Sequence, residues 1–60
     1  MLEYEIQFIK NQNDEDALIE ILKVIEADKT LESNAMQEMK AKFVNQIGLL
    51  YRLRVSNEDI

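Results

Sequence analysis

Apolar and polar residues alternate strictly at the start of the chain, with Leu2, Tyr4, Ile6 and Phe8 set against Glu3, Glu5 and Gln7. A period of two, with aromatic and β-branched side chains at the apolar positions, predicts a half-buried strand. A helical reading keeps Leu2, Ile6 and Ile9 on one side and sends Tyr4 and Phe8 elsewhere, so the strand is preferred. After "NQNDED" the period changes. Asn13 is placed to cap a helix, and Asp14, Glu15 and Asp16 put negative charge at the positive end of its dipole. Polar residues at 16, 20 and 23 then mark a solvent stripe, while Leu18, Ile21, Leu22 and Ile25 form the buried face of a helix from about residue 14 to 28.

"DKT" turns the chain, and Thr30 is placed to cap a second helix with Glu32 in its first turn. Leu31, Ala35, Met39, Phe43 and Ile47 make its apolar face, with Met36 alongside as a core filler. Glu38 and Lys42 form an i,i+4 pair in the favourable order. Gly48, the only glycine, decides where this helix ends. A continuous helix to Arg54 would place Met36, Phe43 and Leu50 seven apart, as a helical seam requires. A stop at Gly48 would close a Schellman motif, with Leu49 packing on Val44. Beyond Gly48 the alternation returns, Leu49, Tyr51, Leu53 and Val55 against Leu50, Arg52, Arg54 and Ser56. The stop also makes the two helices similar in length, as a tightly turned hairpin prefers.

These elements add up to an α+β fold: a single small β-α-α-β domain over residues 1–60, its antiparallel two-stranded ribbon packed on a helical hairpin. The register pairs Leu2 with Val55, Tyr4 with Leu53, Ile6 with Tyr51 and Phe8 with Leu49. It also opposes Glu3 to Arg54 and Glu5 to Arg52, and a one-residue slip would invert every side chain. The alternative is a strand plus a helical hairpin with a long second helix. A two-stranded ribbon is marginal and leaves edges unpaired, so completion by homodimerisation is expected, through strands or through helix pairs.

Composition sharpens this picture. A chain of 60 residues buries only about 60% of the surface it exposes when unfolded, and usually needs a disulfide, a metal or a partner. Cysteine and histidine are both missing, which leaves the partner. No apolar run reaches the roughly 20 residues of a membrane span, and the acidic start does not read as a secretory signal, so a cytoplasmic protein is expected. The net charge is −5. Residues 1–32 hold nine acids and three bases, residues 33–60 three acids and four bases, so the acidity belongs to the first half.

No chemistry stands out. Without histidine or cysteine the usual activated nucleophiles are lacking, and no glycine-rich loop cradles a phosphate. Asn11, Asn13 and Glu15 have the opening spacing of a calcium loop, but Asp16 stands where that loop needs glycine and Leu22 where it needs a bidentate Glu. The expectation is a protein that is not an enzyme and carries no cofactor or metal. It is a small acidic regulatory or inhibitory protein that binds another protein. Asp14, Glu15, Asp16 and Glu20, on the first two turns of one helix, are the candidate contact for a basic partner surface. The alternatives are a dimeric nucleic-acid-associated regulator using Lys40, Lys42, Arg52 and Arg54, or a structural subunit of a larger assembly.

Overall fold

The computed structural model describes the backbone of residues 2–58 and the side chains of residues 3–56. Among the described residues there are three helices: α1 (Leu2–Lys10), α2 (Glu15–Ala27) and α3 (Ser33–Glu58). Among the described residues there is no strand, so the α+β fold and its two-stranded ribbon give way to an all-helical hairpin with a third, short helix laid against it.

The middle helix forms where its pattern places it. Its cap is Asp14 rather than Asn13: Asp14 is extended (φ −116°, ψ 96°) and its carboxylate accepts a 3.1 Å hydrogen bond from the Ala17 N–H. Asn13 instead belongs to the turn after α1, which closes as the Asp14 N–H donates to the Asn11 carbonyl at 2.9 Å. Thr30 does not cap α3 either. Its N–H and hydroxyl both donate to Asp28, and α3 begins after Glu32, whose carbonyl accepts the Met36 N–H at 2.9 Å.

The largest correction is at Gly48. No glycine among the described residues has a positive φ, so no left-handed cap forms and α3 continues for 26 residues through the segment expected to be a strand. Extending an existing helix adds a hydrogen bond for each residue fixed, whereas a new strand needs a partner ladder. Leu, Tyr and Arg at 49–54 tolerate the helix well. Once residues 49–55 stay helical, residues 2–8 have nothing to pair with, and a helix is how their backbone groups bond internally. The long second helix of the alternative is therefore present, but the strand that accompanied it is not.

The expected cross-strand pairs fall with the ribbon. Phe8 meets Phe43 edge-on, ring centroids 5.1 Å apart, and the Tyr4 hydroxyl donates to Asp28 at 2.6 Å. Arg54 pairs with Glu15 at 3.1 Å, not with Glu3. The Leu2 side chain, assigned to Val55, lies outside the described residues. The Glu38–Lys42 pair does not form among the described residues; the Lys42 ammonium sits 5.2 Å from the Phe8 ring centroid instead.

Leu18, Ile25, Met39 and Phe43 are the buried core, ringed by Tyr4, Phe8, Ile21, Leu22, Leu31, Met36, Ile47 and Leu50. At 1.5 Å per residue α3 is about 39 Å long and α2 about 20 Å. The molecule measures 44 × 19 × 14 Å, so α3 sets its length. Lys40 and Arg54 reach Glu26 and Glu15 on α2, which fixes the two helices antiparallel. Every residue from Tyr51 to Ser56 is exposed; there α3 reaches the start of α2, where Arg54 meets Glu15. No helix among the described residues is long and apolar enough to cross a membrane.

Candidate protein-binding surface

The four acidic residues at the start of α2 are separated by their geometry. Asp14 is spent on the cap. Glu15 turns towards α3, its side chain only 21% exposed, and binds the Arg54 guanidinium. Asp16 is exposed, and Glu20 lies 3.6 Å from Lys23 in an exposed i,i+3 pair of the kind that contributes little. Asp16 and Glu20 therefore remain available on the outer face, while Asp14 and Glu15 hold the protein's own structure.

A second surface lies on α1, and it escapes a reading of residues 2–8 as a strand. On a helix, Tyr4 and Phe8 share one face four residues apart, and that face packs on the core. Ile6 and Ile9 then point away from it, 43% and 63% exposed. Glu3 and Glu5 flank them and are exposed as well. The spacing of Leu2, Ile6 and Ile9 is the signal in the sequence that could have found this face.

Asp28 anchors α1 to the turn between α2 and α3. One carboxylate oxygen accepts the Tyr4 hydroxyl, the other the Thr30 N–H at 2.9 Å and the Thr30 hydroxyl. The Thr30 hydroxyl, then the Tyr4 hydroxyl and the Thr30 N–H, hold the Asp28 carboxyl below its ordinary value. Donating to that carboxylate, with some burial and the charge of Asp28 itself, raises the Tyr4 phenol above its own. At the other end of α1, the Gln46 amide donates to the Gln12 carbonyl at 2.6 Å and ties the α1–α2 turn to α3.

The basic residues considered for nucleic acid are largely committed within the chain. Lys40 is 3.6 Å from Glu26, Arg54 is bound to Glu15 and lies 5.3 Å from the Tyr51 ring centroid, and Lys42 covers Phe8. Lys42 and Arg52 are both exposed with no ion pair among the described residues, and of the two only Lys42 sits over an aromatic ring. Among the described residues no pocket forms and no three acidic side chains converge as metal ligands would. What the surface offers is apolar helix faces with charged margins. Compared with known proteins, the chain matches no family model, no curated protein and no solved structure.

Proposed function

We propose that this is a small regulatory or inhibitory protein that acts by binding another protein, without catalysis. The observation that carries the reading is the double-sided character of α1. Tyr4 and Phe8 already seat this helix on the core, yet Ile6 and Ile9 are held outward between Glu3 and Glu5. An apolar stripe with acidic margins fits a groove that is apolar at its floor and basic at its rim, the mode in which one protein takes up another's amphipathic helix. Asp16 and Glu20 extend the negative field on α2; they speed encounter with such a partner, while the affinity comes from the isoleucines.

The test places a photo-cross-linking residue at Ile9 in the native cell and identifies the adduct by mass. The expected result is an adduct with one heterologous protein, lost when Ile6 is replaced by Asp and formed more slowly when Asp16 and Glu20 are reversed to Lys. Adducts with further copies of the same chain alone, or none at all, would overturn the reading.

A further inference from the structure

We infer that α3 pairs antiparallel with α3 of a second copy of this chain, along the flank formed by Ala41, Val44, Gly48, Tyr51 and Val55. This goes beyond partner binding by α1 and uses a different face of the molecule. The core-facing residues of α3 lie within about 40° of Phe43 around the helix axis, and α2 covers them. α1 takes one side, where Lys42 meets Phe8 and Gln46 meets Gln12. The five residues lie on the other side, about 80–160° round from Phe43. Their intervals are three, four, three and four, the spacing of a coiled-coil seam.

This flank is open in the single chain. Val44 and Tyr51 are 51% and 53% exposed, and Ala41 and Val55 are exposed too. A Cβ added at Gly48 would meet nothing within 4 Å. Together with Leu49 and Leu53 on the opposite flank, the second half of α3 carries apolar side chains nearly all round, a composition that belongs inside a protein.

Size and charge identify the occupant. With two copies of α3 laid antiparallel, Tyr51 of each lies over Ala41 of the other, and Val44 of each over Gly48 of the other. Each large side chain then meets a small one, twice by the two-fold symmetry. Gly48, which costs the helix up to about 1 kcal/mol and relieves no contact in the single chain, acquires a steric role. The same register brings Glu38 of each copy beside Arg52 of the other, and neither makes an ion pair in its own chain among the described residues. On the other margin of the seam, Lys40 and Arg54 are already neutralised by Glu26 and Glu15. A parallel pairing would set Gly48 on Gly48 and Tyr51 on Tyr51, leaving a gap and a crowded layer, and would put Glu38 and Arg52 on opposite margins of the seam, out of reach of each other.

Sedimentation equilibrium of the full chain and four variants tests this, with circular dichroism to confirm helicity. The wild type is expected to dimerise at micromolar concentration. Arg52→Glu and Glu38→Arg should each weaken the dimer about tenfold or more, and the double variant should restore it to within about threefold. Gly48→Leu should increase helicity yet abolish the dimer. A wild type that stays monomeric up to about 100 μM overturns the inference. So does a dimer indifferent to the single charge reversals, or one that survives Gly48→Leu.

Discussion

At the scale of single residues, Asp28 and Gly48 govern what the rest of the chain can do. Asp28 ends α2, holds the turn through Thr30 and receives the Tyr4 hydroxyl, so one carboxylate links α1 to the end of α2 and the turn that follows it. Its folded-state value lies below the ordinary 3.8, so the stability it contributes is present above 3.8 and is lost as the pH falls below it. Tyr4 has the opposite sign: its phenol is raised above 10.0, so its contribution holds below that value and is lost as the pH rises past the folded one. Urea unfolding of the wild type, Asp28→Asn and Tyr4→Phe across this range is the check. The acid loss should shrink in Asp28→Asn, and the alkaline loss in Tyr4→Phe. Gly48 is right-handed in an open part of α3, so Gly48→Ala is expected to stabilise the single chain by roughly 0.5–1 kcal/mol. Urea titration at concentrations too low for association measures this, and a destabilised variant would show that the glycine ends a helix after all.

At the scale of elements, α1 shows how a short alternating stretch is assigned by its surroundings. Residues 2–8 satisfy a period of two, yet Tyr4 with Phe8 and Ile6 with Ile9 also satisfy the spacings of a helix. The helix forms because α3, continuing past Gly48, removes the only segment that could have paired with a strand. What then seats α1 is Phe8, touched by the Phe43 ring and the Lys42 ammonium. Phe8→Ala should cost roughly 2–3 kcal/mol, below the 3–5 typical of a fully buried phenylalanine because Phe8 is only half-buried. The same change should lower the helical Cα shifts of residues 2–10 in NMR spectra while those of α2 and α3 persist. In the wild type, uninterrupted helical shifts from Ser33 to Glu58 are expected; a break at Gly48 would restore the shorter helix.

At the scale of the whole molecule, the buried side chains of Leu18, Ile25, Met39 and Phe43 support a body 44 Å long. A chain of this size has a total stability of about 3–9 kcal/mol. Phe43→Ala, which empties the largest buried site, should cost about 3–5 kcal/mol and leave much of the population unfolded at 25 °C by circular dichroism. A milder response would mean that stability resides elsewhere, as it would if an intermolecular interface supplied most of it. The exposed second half of α3 and the outward face of α1 are where such further burial can occur.

The sequence by itself determined α2 to within a residue or so at each end, the apolar face of α3 from Met36 to Ile47, and the turn between them. In those segments a dense helical pattern is bounded by acids and turn residues, and the local preference agrees with the packing. It also fixed the division of charge between an acidic first half and a near-neutral second, since counting needs no fold. The fate of the two alternating segments, of Gly48 and of each acid was decided by tertiary structure. Residues 2–8 and 49–55 each fit two periods, and a glycine can end a helix or lie within it; energies of about 1 kcal/mol separate such choices locally, so the neighbours decide. Asp14, Asp16 and Glu20 look alike along the chain beside Glu15, but only the antiparallel approach of α3 brings Arg54 to Glu15 and takes that carboxylate out of the available surface.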